Sequence, residues 1–219
     1  MVFKLFSNLK KFQKTLFAKK GISLVEVIVT IFLISIFSSI LIANFPELQR
    51  QFALSRAAYK FAQDLRRTQD LGLSGVQILD IGGQPITVKG YGIYIDLTTQ
   101  PTTEYSIYAD VDGNHVYYPA SYNYCSQVSE PTADCIIEKT DIKKTNPSLY
   151  IKEFVNINGL NYTSINFRPP DPIVEIQNKC QQACADSDNS RIGIVFTVDS
   201  NAPSTRTIWV NTSGMIKVQ

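Results

Sequence analysis

The first part of the chain contains one long apolar segment without a charged side chain. Residues 27–45 read VIVTIFLISIFSSILIANF. Nineteen residues in an α-helix reach about 28 Å, which is close to the thickness of the hydrocarbon core of a bilayer. The pattern therefore predicts a membrane-spanning helix.

Helical spacing continues beyond Pro46, but the apolar residues now fall on one face with charged residues between them. These apolar residues are Leu54, Ala58, Phe61, Leu65 and Leu71. Such a stripe is typical of a helix that covers a core. We expect one helix from about Ile22 to about Leu71, ended by Gly72 and Gly75 and bent at Pro46.

From Val76 onward the pattern changes to short runs rich in β-branched and aromatic residues, separated by Gly, Pro, Asn and Asp. The predicted strands are Ile86–Ile95, Tyr105–Val111, Asn114–Tyr118, Leu149–Ile157, Ser164–Phe167, Ile192–Val198, Thr205–Val210 and Met215–Val218. Asp112-Gly113 predicts a hairpin between two of them. A long helix followed by antiparallel strands predicts an α+β fold, with the second half of the helix packed on the sheet.

Charge is distributed unevenly along the 219 residues, although the net charge is only +2. Residues 1–21 hold six lysines and no acid, and the rest of the chain has 15 basic and 19 acidic side chains, a net charge of −4. Lysines before an apolar span place the N-terminus in the cytoplasm and the remainder outside. A net-acidic body disfavours nucleic acid as a partner.

Two simple interpretations of this N-terminus are a cleaved secretory signal peptide and a plain membrane anchor. The apolar run exceeds the usual signal-peptide length, and Leu41 stands two residues before Ala43, the one small-residue cleavage candidate. Glu26, next to the uncharged run, argues against a plain anchor. An ionised carboxylate in lipid costs about 3 kcal/mol or more unless it is paired.

The residues around Glu26 read KKGISLVE, from Lys19 to Glu26. This segment resembles the type IV prepilin motif: basic residues, glycine, a short Ser/Leu/Val stretch, glutamate and an apolar helix. The resemblance implies cleavage after Gly21 by a prepilin peptidase and N-methylation of the new first residue, Ile22. It also implies that Glu26 pairs with the α-amine of an adjacent subunit. Pairing with the amine of its own Ile22, one helical turn away, is the local alternative.

Later segments resemble the GspH/FimT-type minor pseudopilins more narrowly. They are DLRRTQDLGLSG, GYGIYID, YADVDGN, INFRPPDP and TRTIWVNTSGMIKV. The resemblance implies a pilin-like fold with three parts: a cleaved leader at 1–21, a transmembrane and filament-core helix at 22–52, and a head at 53–219. It further implies a minor structural subunit of a type IV pilus or type II secretion pseudopilus, held in the inner membrane and then assembled with other pilin subunits into a filament outside it.

Two other classes of function stay open. One is a tip subunit that binds a surface or DNA on the same scaffold, and the other is a plain membrane-anchored exported domain. The segment Gly214–Lys217 lacks the arginine found in DNA-binding minor pilins. An enzyme is disfavoured because the chain has one histidine, His115, and neither a P-loop nor a dinucleotide-binding fingerprint.

Four cysteines lie on the exported side, where thiols are usually oxidised. Of the three pairings allowed, we expect the near-neighbour one, Cys125–Cys135 and Cys180–Cys184. A structural zinc site is the alternative, but these spacings do not match a zinc knuckle.

The segment DVDGN places Asp110, Asp112 and Asn114 within reach of one cation and predicts a calcium site. A hairpin turn alone explains the same residues, and no other cofactor is expected. Four tyrosines follow, and they form either an exposed contact patch or part of the sheet core. They are Tyr117, Tyr118, Tyr122 and Tyr124.

Overall fold

The computed structural model divides the chain into two compact units, residues 1–47 and 48–219. It describes residues 21–117, 123–129, 132–144, 146–156, 161–169, 174–177, 190–198 and 204–219. Cys180 and Cys184 both lie outside these ranges, as do Tyr118 and Tyr122. The first buried core side chain is Leu54, and the start of the head at residue 53 stays a prediction.

Helix α1 spans Leu24–Ser74 and includes Pro46. Gly75 follows it with φ +58°, a left-handed conformation that glycine adopts at the end of a helix. Gly72 lies inside the helix, so the expectation that it ends the helix was wrong. All side chains from residue 21 to 46 are exposed. By length and composition, this is the one helix among the described residues that is able to cross a membrane.

The rest of the described chain is antiparallel β-structure with two short 3₁₀ turns, Cys125–Gln127 and Ile142–Lys144. The strands are β1 Ile78–Leu79, β2 Pro85–Ile86, β3 Gly90–Asp96, β4 Glu104–Asp110, β5 Cys135–Asp141, β6 Leu149–Val155, β7 Tyr162–Phe167, β8 Val174–Gln177, β9 Arg191–Val198, β10 Thr205–Asn211 and β11 Ile216–Val218. They form a small β1-β2 sheet, a five-stranded sheet in the order β5-β4-β3-β7-β8 and a four-stranded sheet in the order β11-β10-β9-β6. The α+β layout is confirmed.

Two strand predictions are wrong. The predicted strand Ile86–Ile95 is divided into β2 and β3, which belong to different sheets. The second is the strand predicted after Asp112-Gly113, together with its hairpin. Residues 114–117 form no strand, and β4 pairs with β3 and β5 instead. Gly113 does make a turn, with φ +80°, but the Asp110 carboxylate closes this turn by accepting the Gly113 N–H at 2.6 Å. A turn held by a side chain needs no second strand, which is why the Asp-Gly signal was misleading here.

The second half of α1 packs on both large sheets. The Phe61 ring lies 4.9 Å from the Tyr105 ring of β4 and 5.3 Å from the Phe196 ring of β9, measured between centroids. The helix residues buried in this core are Leu54, Ala57, Ala58, Phe61, Ala62 and Leu65. The apolar stripe predicted from the sequence is therefore the face that covers the core.

One carboxylate interrupts this apolar interface. Asp64 is only 4% exposed, and its Oδ2 accepts a hydrogen bond from the Tyr105 hydroxyl at 2.5 Å. The Lys60 ammonium lies 2.9 Å from the same carboxylate. Burial, together with the nearby Asp64 charge, raises the pKa of Tyr105, so the phenol remains a donor. A charge-assisted bond of this kind contributes about 1.5–3 kcal/mol and fixes the rotation of the helix on the sheet.

Gly72 sets the distance between the helix end and β7. A Cβ built on Gly72 would lie 2.7 Å from the Phe167 carbonyl oxygen, a main-chain atom that no side-chain rotation moves away. Glycine is therefore needed here for the close approach of two backbones.

We predict that Gly72→Ala destabilises the head although alanine favours helix. Helix propensity alone would add about 1 kcal/mol of stability, whereas overpacking against a main-chain atom costs about 1–3 kcal/mol, so we expect a net loss of up to about 2 kcal/mol. Urea unfolding of the full chain in mild detergent, followed by the fluorescence of Trp209, measures the difference. Gln63→Ala at an exposed helix position is the control, and a Gly72→Ala protein at least as stable as the parent would refute the steric argument.

Candidate functional site

The processing motif lies at the start of α1. The Ser23 carbonyl accepts the Val27 N–H at 3.2 Å, which makes Ser23 the N-cap residue and Glu26 the third residue of the helix. Gly21 and Ile22 precede the helix in exposed, non-helical backbone. The peptide bond between them is thus accessible, as cleavage at that bond would require.

Nothing in the described structure requires glycine at position 21. A Cβ built there meets no atom within 4 Å, and no positive φ is recorded for this residue.

The position of Glu26 in the first turn also suits helix capping. Ser23 and Glu26 have the S-x-x-E spacing of a capping box, a motif in which a glutamate accepts the free N–H at the helix start. A carboxylate in the first turn is favoured by the helix dipole as well. Any test of Glu26 in assembly must separate its charge from this hydrogen-bonding capacity.

A second feature that sequence reasoning missed is an apolar stripe on the outward face of α1 within the head unit. Leu48, Phe52 and Tyr59 fall within about 40° of one another around the helix, and about 130° from the buried face. Phe52 is 71% exposed and Tyr59 60% exposed. In the sequence, the stripe is visible only as the spacings of four residues from Leu48 to Phe52 and of seven from Phe52 to Tyr59. These spacings were overlooked because the buried stripe already explained why the helix is amphipathic.

The predicted calcium residues lie in an acidic cluster at the end of β4. Carboxylate oxygens of Asp110, Asp112 and Asp134 all lie within 4.8 Å of one another. Asn114 directs its amide nitrogen at Asp112, at 2.6 Å, while its oxygen accepts the Val116 N–H at 2.8 Å. Asp134 thus lies beside the two predicted aspartates, and the amide oxygen of Asn114 is already engaged.

The buried Asp110 carboxylate already has four hydrogen-bond donors. Besides the Gly113 N–H, its oxygens accept the His115 N–H at 3.2 Å, and its Oδ2 lies 3.0 Å from His115 Nδ1 and 3.2 Å from the Asn166 side-chain nitrogen. This network accounts for a buried charge without an ion. Calcium binding here stays a prediction, with the turn network as its alternative.

Asp134 is the acid of this cluster whose pKa is raised. Burial, and then the charges of Asp110 and Asp112, raise the pKa of Asp134 to about 7 from its ordinary value of 3.8. Its Oδ1 still accepts the Val111 N–H at 2.9 Å. Because the folded state holds this proton more tightly than the unfolded chain, stability falls as the pH rises from about 4 to about 7.

We predict that Asp134→Asn removes this part of the pH dependence. The amide keeps the acceptor for the Val111 N–H and cannot ionise, so in the presence of a chelator the variant should exceed the parent in stability at pH 8 and match it more closely at pH 4. Urea unfolding at the two pH values measures the effect. An unchanged slope between pH 4 and 7 would show that folding does not raise the pKa of Asp134.

Calcium should stabilise the parent protein at pH 8 if the cluster is a cation site. Divalent binding to the folded state alone raises the unfolding midpoint with concentration. We expect a rise with calcium that is lost in Asp112→Asn, while Asp141→Asn, a half-buried acid on β5 outside the cluster, serves as the control. Equal midpoints with calcium and with chelator would leave the turn network as the whole explanation.

The cysteine pairing is confirmed for Cys125–Cys135, which form a disulfide with their Cα atoms 5.0 Å apart. Closing a loop of about ten residues stabilises the fold by about 3 kcal/mol. The bond joins the start of β5 to the 3₁₀ turn Cys125–Gln127, and the pairing of Cys135 with Ala109 places the neighbouring Asp134 near the end of β4. The predicted Cys180–Cys184 pair lies outside the described residues.

Of the four tyrosines, Tyr117 is core. Its ring is buried 5.1 Å from the Tyr94 ring and 5.2 Å from the Tyr108 ring, between centroids. Tyr124 is half-buried against the same cluster. Tyr117 is therefore part of the core, and the alternative that it belongs to an exposed contact patch is wrong.

No protein family, curated protein or solved structure matches this chain. The function is therefore inferred from the chain's own motif and geometry.

Proposed function

We propose that the protein is a pilin-like minor subunit of a type IV pilus or a type II secretion pseudopilus. Three features support the proposal: the motif from Gly21 to Glu26 at the helix start, the exposed apolar first half of α1, and an α+β head beyond it. In this account the protein acts by assembly, and no catalytic step is assigned to it.

The observation that carries the proposal is the apolar stripe of Leu48, Phe52 and Tyr59. Phe52 and Tyr59 stand seven and fourteen residues beyond Phe45, the last residue of the uncharged span. A filament of packed parallel helices would bury this stripe against neighbouring subunits, which removes its apolar surface from water.

The steps follow from the chemistry of the helix start. The lysines of residues 1–21 set the orientation in the inner membrane, and a prepilin peptidase cuts after Gly21 and leaves a methylated α-amine on Ile22. On assembly, α1 exchanges lipid for neighbouring helices. A Glu26 carboxylate left unpaired there would cost several kcal/mol, so assembly selects the register in which it meets a neighbour's α-amine.

We predict that Glu26→Gln and Glu26→Ala both reduce incorporation into filaments by tenfold or more, while leader cleavage and membrane insertion continue. Glutamine keeps the capping capacity but removes the charge, so equal defects point to the ion pair between subunits. The measurement is the amount of the protein in sheared filaments relative to the membrane fraction.

Glu153→Gln, on the surface of β6, is the matched control and should assemble normally. If Glu26→Gln assembles like the parent while Glu26→Ala fails, the residue acts only through helix capping. If both variants assemble normally, the proposed function is wrong.

We further predict that Phe52→Gln and Tyr59→Gln reduce incorporation without lowering the stability of the head. Both side chains are exposed in the single subunit, so the changes remove no internal contact. Gln63→Ala is the control on the same helix. Normal incorporation of both polar variants would contradict a filament interface on this face and favour a plain anchored domain.

A further inference from the structure

The outer face of the four-stranded sheet carries a groove of about 390 Å³ at the turn between β10 and β11. In the register of the sheet, Trp209 pairs with Gly193 of β9 on one side and Lys217 of β11 on the other. Arg191 pairs with Asn211, two residues along each strand, so its side chain lies on the same face as Trp209. The groove therefore joins one aromatic ring and two cations.

The Trp209 ring is fixed in place. It lies across Gly193, where a Cβ would come within 3.1 Å of two ring atoms, so the missing side chain makes room for the indole. The indole N–H donates to the Gln219 side-chain oxygen at 3.0 Å. The Arg191 guanidinium carbon lies 5.0 Å from the ring centroid, a cation–π contact. A ring held on three sides loses little entropy when a ligand packs against it.

The described lining of this groove is cationic. Arg191 and Lys217 are exposed, and no aspartate or glutamate is among the described lining residues. The lining also includes the hydroxyl-bearing Thr212 and Ser213 of the turn. This local excess of positive charge stands out in a chain that carries a net charge of −4 beyond residue 21. Its ligand is expected to be anionic.

We propose that this groove binds an acidic polysaccharide. The apolar C–H atoms of a sugar pack on the part of the half-buried Trp209 ring that Arg191 and Gly193 leave exposed, the sugar carboxylates pair with Arg191 and Lys217, and the hydroxyl groups meet the polar side chains of the turn. The groove volume is within the range of sites for small ligands, so it holds a short stretch of the polymer. The proposal concerns the head alone and is independent of filament assembly.

A nucleic acid fits the groove less well. Two cations neutralise about two phosphates, far fewer than the six to ten contacts of a typical binder, and one ring offers a stacking platform for a single base. A neutral sugar would leave both cations without a partner. An acidic sugar uses the ring, the cations and the hydroxyl groups together.

Trp209 is the sole tryptophan of the chain, so its fluorescence reports on the groove directly. For the full chain in mild detergent, we expect the ratio of iodide quenching to caesium quenching of Trp209 to exceed the ratio for a free tryptophan amide, because the cations attract the anion. A ratio equal to or below that of the free amide would overturn the premise of a cationic groove.

The binding probe is polygalacturonate, with neutral dextran and a single-stranded oligonucleotide of equal charge concentration as comparisons. We expect a saturable change in Trp209 fluorescence with polygalacturonate, weakened by salt, and none with dextran. Lys217→Gln should weaken binding about threefold to fivefold, as loss of one surface ion pair does, whereas Lys152→Gln outside the groove should not. Absence of a response to polygalacturonate, or an equal or stronger response to the oligonucleotide, would overturn the proposal.

Discussion

The packing of the second half of α1 on both sheets is the interaction on which the rest of the head depends. Phe61 contacts a ring from each sheet, and Asp64 binds Tyr105 through a buried charge-assisted hydrogen bond. The six buried apolar residues of the helix decide which face covers the core. The bond between Tyr105 and Asp64, a carboxylate that also pairs with Lys60, then restricts the rotation of the helix further. The outward face carries Phe52 and Tyr59.

Charged residues at the ends of the two large sheets have different roles. At the end of β4, Asp110 is buried among donors, and Asp134 shares the site by holding its proton up to a pH of about 7. On the other sheet, Arg191 and Lys217 remain exposed beside Trp209. The acids thus organise a turn, whereas the two cations remain exposed to solvent, where a ligand can reach them.

The sequence predicted the elements that depend on local periodicity. Helix α1 and most central strands follow from spacing alone, and the Cys125–Cys135 bond followed from proximity in the chain. Strand β5 was missed because Glu138, Lys139 and Asp141 give it a polar pattern, and its place is set by the disulfide and by pairing with β4. The contact of Asp134 with Asp110 joins positions 24 residues apart, which no local pattern reveals.

The candidate site divides in the same way. Gly21, Ile22 and Glu26 were identified by a short motif, whereas the outward stripe became visible only once burial showed which helix face the core uses. The groove at Trp209 needed the strand register, because Gly193, Trp209 and Lys217 come from three strands. Pairing across a sheet brings together residues whose spacing in the sequence carries no signal.

The intact mass of the protein, isolated from the membrane or filament fraction of its native host, tests the central claim most directly. The account predicts a mass that lacks residues 1–21 and carries one added methyl group on Ile22. A full-length mass would contradict processing at Gly21 and leave a plain anchored domain. Cleavage near Ala43 would mean an ordinary secreted protein, and the filament account would be wrong.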